Sequence, residues 1–515
     1  MIDACVADIV RRQVTERPGD VALWHEGRET TFAELDQLSS RCAQALIAAG
    51  VEPGDRIGHL AKGNDLFFIF WFGALKAGAC LNPVNWRLAA PEIAFVLKDA
   101  GARLLVCGED FAETVDRILP DCPALKTLVQ FEPGHGAWPD FMSWICRYPA
   151  DDPKLPARPD DDVIQLYTSG TTGLPKGVQL TEANYAALFE SASAQWAKYE
   201  PGDAVLVAMP LFHVAGANVG VLAIQQGARA VVMREADIGK LIAYVQQHRV
   251  TQLFLVPALI NLLLQHPAAA DADFSCVEKV YYGASPISEE VLRRAQSLLP
   301  AAFTQLYGLT ETIGVATNLS PLAHAEGRLR ACGVASALAE VRVWAGDHEA
   351  AVGEVGEIQI RGPIIMKGYW NRPEATAEAI DAEGWFRSGD AGFFDEDGYL
   401  FVHDRVKDMI VSGGENVYPA EVENALFSHP AVADAAVIGV PDERWGEAVK
   451  AVVVLKAGAE AGPAEIIAHC RQLIAGYKLP KTVDFIEVLP RNPSGKVLRR
   501  ELRKPYWEGQ TRMVG

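Results

Sequence analysis

Seven short apolar runs mark the chain between residues 100 and 310: Arg103–Cys107, Val163–Tyr167, Ala204–Ala208, Ala228–Met233, Gln252–Val256, Val280–Tyr282 and Phe303–Tyr307. Stretches of mostly helical pattern separate them, with successive runs roughly 20–50 residues apart. An apolar run without polar alternation suits a strand buried on both faces, and helical crossovers set such strands parallel. The expectation is α/β construction with covered, largely parallel sheets. Upstream, Thr31 to Glu34 reads as a capping box, in which a hydroxyl and a carboxylate satisfy orphan N–H groups at a helix start. Leu35, Leu38, Cys42 and Leu46 then recur at helical spacing until Gly50 supplies the stop.

Beyond residue 335 the texture changes to alternating strands, as in Val341–Trp344 and Glu357–Arg361. Past Arg405 the pattern is that of a smaller unit: a helix near Ala420–Phe427, strands near Ala435–Val440 and Val449–Leu455, and a helix near Ala464–Ile474. A boundary is expected within 403–408. It divides a large N-terminal domain of stacked α/β sheets with a β-rich subdomain (1–404) from a small, mobile α+β C-terminal domain (405–515). Pro149–Asp162 is a polar, proline-rich connector leading into a strand, and 314–340 carries no readable motif.

Composition narrows the function. Half of the 515 residues are hydrophobic and 22% are charged, so the chain builds large cores and is not a disordered tail. Single cores stop growing at roughly 250–300 residues, which implies two or more domains. Subtracting 66 Asp+Glu from 47 Lys+Arg leaves −19, and general nucleic-acid binding needs a basic face instead. The nine cysteines are scattered without a Cys-x-x-Cys pair and read as reduced thiols of a cytoplasmic protein. No signal peptide is expected, because Asp3 and Asp8 interrupt a start that lacks a long apolar region. The run Leu66–Leu75 stops at Lys76, short of the roughly twenty residues a spanning helix needs. A peripheral membrane contact stays open, and either a monomer or a homodimer is expected. From Lys478 the last 38 residues carry nine Lys/Arg against four Asp/Glu. That local excess points to a polyanion such as a nucleoside triphosphate, or equally to a solvated helix face.

The sharpest local signal is Tyr167–Val178 (YTSGTTGLPKGV), directly after an expected strand. Glycines let backbone N–H groups approach phosphate oxygens, hydroxyls donate further bonds, and Lys176 supplies charge. The P-loop of nucleoside triphosphatases needs Gly-Lys-[Ser/Thr], whereas here Pro175 precedes the lysine and Gly177 follows it. The segment is therefore a phosphate-binding loop of another kind, or a flexible surface turn.

Five further motifs follow in order: Gln305–Thr312 (QLYGLTET), Gly384–Asp390 (GWFRSGD), Asp404–Lys407 (DRVK), Ser412–Pro419 (SGGENVYP) and Pro490–Lys496 (PRNPSGK). Together with the loop they resemble the adenylate-forming superfamily, which includes acyl-CoA synthetases, luciferases and peptide-synthetase adenylation domains. The resemblance covers Thr31 to Leu502, and bacterial fatty-acyl-CoA synthetases look most similar.

The resemblance implies roles residue by residue. Thr168, Ser169, Gly170, Thr171, Thr172, Gly173 and Lys176 would hold the triphosphate. Glu311 and Thr168 would hold Mg²⁺, a hard cation that prefers oxygen ligands. Tyr307 would stack on adenine, with Gly283, Ala284, Ser285, Gly308, Thr310 and Asn416 around the nucleotide. Asp390 would take the ribose hydroxyls, and Arg405 would contact the ribose. Lys496 would bridge the substrate carboxylate and the α-phosphate, where a preorganised ammonium stabilises the charge that accumulates. His213 would stand at the mouth of an acyl pocket lined by Ala217, Gly283, Gly308 and Leu309. Gly413 and Gly414 would leave room for a pantetheine arm, Trp445 would pack on the CoA nucleotide, and Lys407 would be the hinge of domain rotation. Read without the family, Glu311 is a solvated acid, Tyr307 a core tyrosine, His213 a structural histidine, Trp445 a structural surface residue and Lys496 a solubilising lysine.

The implied activity is that of an ATP-dependent acyl-CoA ligase using ATP, Mg²⁺ and coenzyme A, with Lys496, Glu311, Thr168 and His213 as its catalytic set. No Lys or Arg near the pocket motifs stands out to pair a second carboxylate, which favours a monocarboxylic acid with an apolar body, such as a medium- or long-chain fatty acid. A hydroxycinnamate- or aryl-CoA ligase is the alternative, as is a standalone loader of a carrier protein. No carrier domain is expected in the 19 residues after Lys496. A luciferase-like oxygenase would share the adenylation step, and a non-enzymatic binding protein would be expected to have lost Lys496, Glu311 or Asp390. Gly283-Ala-Ser285 and Asp404 depart from variants common among relatives.

Overall fold

A computed structural model describes residues 5–132, 134, 136, 138–168, 175–405, 408–412, 415–442, 445–492 and 495–508, with backbone alone at 403–405, 415 and 416. Its strands form four sheets. The first has seven strands in the order Gly368–Tyr369, Lys176–Thr181, Asp162–Thr168, Cys80–Pro83, Arg56–Leu60, Leu104–Cys107 and Thr127–Gln130. The second has nine, in the order Val334–Ala335, Thr317–Leu319, Ala302–Tyr307, Lys279–Gly283, Gln252–Leu255, Ala204–Val207, Arg229–Val232, Val21–His25 and Arg28–Thr31. Each of the seven apolar runs between residues 100 and 310 lies in one of these sheets and pairs in parallel with at least one neighbour. Antiparallel strands sit only at the edges, and two of them, Thr317–Leu319 and Val334–Ala335, fall in the stretch that carried no motif.

The helix Phe32–Ala48 starts on the expected capping box: Thr31 Oγ1 accepts from the Glu34 N–H, and the Glu34 carboxylate accepts from the Thr31 N–H at 2.8 Å. The apolar run at residue 66 is the helix Leu66–Lys76, with Phe67, Phe68, Phe70, Trp71 and Phe72 all buried in the largest core. Its terminal ammonium, Lys76 Nζ, is satisfied by Asp36 Oδ1 at 2.6 Å and Ser40 Oγ at 2.9 Å, so the helix ends inside protein on a paired charge. Among the described residues, no helix is long and apolar enough to cross a membrane. All nine cysteines are free, and five of them are buried.

The third sheet is antiparallel and has five strands: His348–Glu349, Glu340–Ala345, Gly356–Arg361, Phe386–Phe394 and Leu400–Arg405. The fourth begins at Ile410–Ser412 and holds Glu415–Val417, Gly446–Leu455, Val432–Asp442 and Thr482–Phe485. Its cores, built around Ile410, Val437, Val449 and Ile466 on one face and Ala436, Ile438, Val452 and Leu489 on the other, contain no residue of the first three sheets. The last helix of that pattern is shorter than expected: Pro463–Cys470 gives way to turns at Leu473 and Ile474, whose N–H groups both reach the Cys470 carbonyl.

The basic C-terminal stretch, open to a polyanion or to a solvated face, has four of its nine cations paired with earlier acids of the same unit. Lys478 pairs with Glu421 at 2.6 Å, Arg491 with Asp434 at 2.7 Å, Arg499 with Glu423 at 2.8 Å and Arg503 with Asp408 at 2.8 Å. The local excess of cations is largely matched by acids that lie earlier in the sequence of the same unit.

Candidate active site

In the second sheet, register fixes which residues share an edge. Leu255, Tyr282 and Gln305 stand side by side in parallel strands, so Val256, Gly283–Ser285 and Tyr307–Thr310 all emerge at the same carboxyl end. Ala204–Val207 runs parallel beside them, and His213 follows its carboxyl end. In open α/β sheets this edge is where ligands bind. Close backbone approach explains two of its glycines. A Cβ on Gly283 would collide with the Leu306 carbonyl, and one on Gly308 with the Gly314 backbone. Ala284 adopts a left-handed φ of 66° and is exposed at the turn, with Ser285 half-buried behind it.

Tyr307 and Asp390, expected at adenine and ribose, are joined directly: the Tyr307 hydroxyl donates to Asp390 Oδ2 at 2.9 Å. Burial and the neighbouring Asp390 charge hold the phenol well above its ordinary range, so it remains a donor. Asp390 is itself buried, its N–H donating to Ser388 Oγ, and its backbone pairs with Arg405 across the third sheet. A ring face next to a fixed carboxylate is a geometry that suits a nucleoside. Thr310 and Glu311 lie in the short helical turn Thr310–Thr312, which Thr312 Oγ1 closes by accepting from the Leu309 N–H at 2.9 Å.

The residues expected at the phosphates come from the ends of both sheets. Thr168 ends the strand Asp162–Thr168 and pairs with Lys176, the first residue of the next strand. Lys176 Nζ lies 4.8 Å over the ring of Tyr369, and the Tyr369 hydroxyl donates to Glu311 Oε1 at 2.9 Å. Lys176 and Glu311, which the motifs placed at the triphosphate and the metal, therefore meet on one aromatic side chain. The buried Glu311 carboxylate and the half-buried Thr168 hydroxyl are a donor chemistry that fits a hard cation. Ser169, Gly170, Thr171, Thr172 and Gly173 lie outside the described residues.

Lys496 sits on a hairpin that is held internally. Its N–H donates to Asn492 Oδ1 at 2.8 Å, its carbonyl accepts from the Asn492 N–H at 2.8 Å, and Arg491 Nη1 reaches the Gly495 carbonyl at 2.6 Å. Gly495 lies against Val256 and Ala258, 3.3 Å from where its Cβ would be, so the hairpin meets the carboxyl edge described above. Nearby, Asn261 Nδ2 donates to the Ala433 carbonyl at 3.2 Å.

His213 precedes the helix Val214–Gln226 as its N-cap residue and is half-buried; its Nε2 is buried and has no hydrogen-bond partner among the described residues. Burial, with the charge of Arg87, pushes it down to about 4 and keeps it neutral. Arg87, passed over in the sequence, is exposed, with its guanidinium 4.2 Å over Trp86, and Trp86 lies edge-on to Phe212. Ala217 is buried one turn into that helix, and Leu309 is partly buried. In the fourth sheet's unit, the backbone N–H of Trp445 donates to Asp442 Oδ1 at 3.0 Å, and Lys481 Nζ stands 5.5 Å over its ring. An ammonium over this half-buried ring is a second feature that no motif announced. Asn416 pairs with Val411 through the backbone. Lys407, Gly413 and Gly414, and the side chains of Arg405 and Asn416, lie outside the described residues.

Comparison with protein families matches residues 10–370 to the AMP-binding enzyme model and residues 421–496 to the AMP-binding enzyme C-terminal domain. The chain belongs to the AMP-binding enzyme family. Among its relatives in that family, the fatty acid–[acyl-carrier-protein] ligase ScoC of Streptomyces coeruleorubidus is 40% identical over 504 residues, covering 96% of this chain and 95% of the relative. The long-chain-fatty-acid–CoA ligase FadD13 of Mycobacterium tuberculosis is 38% identical over 485 residues, covering 92% and 93%. The crystal structure of the anthranilate CoA ligase AuaEII with anthranoyl-AMP superposes with a TM-score of 0.91 at 25% identity, covering 98% of each chain. Lys496 is the last residue of the second matched span in this AMP-binding enzyme, and Asp390 and Arg405 fall between the two spans.

Proposed function

We propose that this adenylate-forming acyl ligase activates an aliphatic monocarboxylic acid of medium to long chain and transfers it to the thiol of coenzyme A. The observation that carries the reading is the position of the Lys496 hairpin, against the same strand edge that presents Gly283–Ser285, Tyr307–Thr310 and His213. An ammonium delivered there lies between a nucleotide held by Tyr307 and Asp390 and an acid held in front of His213. A carboxylate oxygen attacks the α-phosphorus and pyrophosphate leaves, giving the acyl-adenylate. Lys496 offsets the repulsion of two anions that must meet. The thiol then attacks the acyl carbon and AMP departs. Thr168 and Glu311 would hold Mg²⁺, which when bound neutralises phosphate charge.

His213, kept neutral and with an unpartnered Nε2, can accept or donate one hydrogen bond to a bound acid or adenylate without adding charge. The aliphatic choice draws support from buried Ala217 and from relatives named for fatty acids. The acceptor choice draws support from the Trp445–Lys481 pair, which suits a nucleotide with phosphates. We take 1–404 and 405–515 as the two moving bodies with Lys407 between them, a division consistent with their separate cores.

The test is pyrophosphate release with Mg·ATP across butyrate, octanoate, palmitate, benzoate, phenylacetate and ferulate, each with CoA and with a phosphopantetheinylated carrier protein. Turnover rising with aliphatic length and requiring CoA supports the proposal. Turnover confined to aromatic acids would move the chain to the aryl-CoA branch, and preference for the carrier protein would make it a loader.

A further inference from the structure

Tyr369 stands where three functional segments meet, yet none of the sequence motifs includes it. We propose that Tyr369 is a positioning residue of the adenylation half-reaction: its hydroxyl aims the Glu311 carboxylate, its ring carries the Lys176 ammonium, and Asp99 locks the segment that presents it. This rests on the assignment of Lys176 and Glu311 to the triphosphate and its metal.

The segment Met366–Arg372 is tied to both partners. At its start the Met366 N–H donates to the Glu311 carbonyl at 2.8 Å, so Glu311 is gripped through backbone and side chain together. Gly368 and Tyr369 add as an edge strand to Lys176–Thr181, and the Trp370 N–H reaches the Gly177 carbonyl at 2.7 Å. Asp99, on the helix Ala90–Ala100, then collects the far end. Its Oδ1 accepts from Arg372 Nη2 at 2.6 Å, its Oδ2 from the Tyr167 hydroxyl at 2.8 Å, and its carbonyl from Trp370 Nε1 at 3.0 Å. Arg56 covers the other face of this lock, its guanidinium 3.5 Å over the Trp370 ring.

Tyr167 immediately precedes Thr168, so one carboxylate fixes both the root of the phosphate loop and the segment bearing Tyr369. The chemistry of the tyrosine matches the task. Its hydroxyl donates to Glu311 Oε1 at 2.9 Å, while its π-face attracts the lysine cation 4.8 Å above it. A hydrogen bond to one carboxylate oxygen fixes the rotation of Glu311 before any ligand arrives, so the order is built in rather than purchased on binding.

The experiment uses the full chain with Tyr369→Phe, which keeps the ring and removes the hydroxyl, and Tyr369→Ala, which removes both. Calorimetry reads the affinity for a non-hydrolysable ATP analogue with Mg²⁺ and with EDTA. Acid-dependent ATP–pyrophosphate exchange reads adenylation, and thioester formation from supplied acyl-adenylate reads the second half-reaction. Tyr369→Phe is expected to lower the Mg²⁺-dependent affinity and the exchange rate by about 10-fold, with the EDTA value and the thioester step changed by less than about twofold. Tyr369→Ala is expected to weaken binding in EDTA as well. Wild-type Mg²⁺ dependence in Tyr369→Phe, or an equal loss in all readouts, would overturn the positioning role. Glu311→Gln with wild-type Mg²⁺ dependence would instead overturn the assignment of the ATP site itself, whatever Tyr369→Phe does.

Discussion

The phosphate corner and the Lys496 hairpin supply opposite ends of one candidate site, and they are held in opposite ways. At the corner, Glu311, Lys176, Tyr369, Asp99 and Tyr167 are linked by hydrogen bonds and a cation–π contact between segments far apart in sequence, on strands of the large sheets and the helix and turn beside them. The hairpin is braced by its own neighbours: Asn492, Arg491 and, through Arg491, Asp434 of the same unit. Toward the large unit, Gly495 leans on Val256 and Ala258, and Asn261 reaches Ala433 nearby. The difference teaches how a site can be rigid and still come apart. Under the proposed domain rotation, a lysine whose geometry is set inside its own unit would keep that geometry as the unit turns away, and the residues proposed for the triphosphate would not need to move.

The largest expected effect comes from removing the moving end. Lys496→Ala should lower acyl-adenylate formation by at least about 100-fold while thioester formation from supplied adenylate persists. Loss of both half-reactions together would break the comparison, since the lysine would then serve a fixed site. Loosening the hairpin without removing the charge comes next. Arg491→Ala deletes the bonds to Gly495 and Asp434, and should slow adenylation by about 10-fold with little change in ATP affinity. Equal losses in rate and affinity would mean that the brace reaches the large unit.

At the fixed end, acid should act on stability. His213 sits near 4 in the folded chain against its ordinary 6.5, so between those values the unfolded chain binds a proton that the native one does not. Its contribution is complete above pH 6.5 and is lost as pH falls toward 4. Melting temperatures between pH 7 and 4.5 should drop, and drop less steeply in His213→Asn; identical slopes would remove His213 from that account. The smallest effect is expected for Asn261→Ala, which touches the lean alone. Adenylation should change by less than about threefold, with the direction reporting whether the docked or the undocked unit limits turnover.

Much of this was legible in the chain because it is local. Periodicity announced the strands from Leu104 to Tyr307, the capping box at Thr31 was readable from four residues, and the motifs carried Tyr307, Glu311, Asp390 and Lys496 in register. The residues that hold those groups in place were not legible. Tyr369 meets Glu311 across 58 positions and Arg372 meets Asp99 across 273, and no spacing rule links such pairs. Arg87 and Lys481 gain their meaning only from Trp86 and Trp445 beneath them. The basic C-terminal stretch was only partly legible for the same reason: its charges are countable, while Glu421, Glu423, Asp408 and Asp434, which pair with four of them, lie more than fifty residues earlier.

One single-turnover measurement bears most directly on the two-part site. The protein is incubated with Mg·ATP and octanoate in the absence of CoA, and bound products are followed before and after CoA is added. Stoichiometric pyrophosphate and octanoyl-AMP before CoA, converted to octanoyl-CoA and AMP after it, is the predicted course. Absence of any acid-dependent pyrophosphate across the carboxylic acid panel, or a thioester formed with release of ADP, would contradict it.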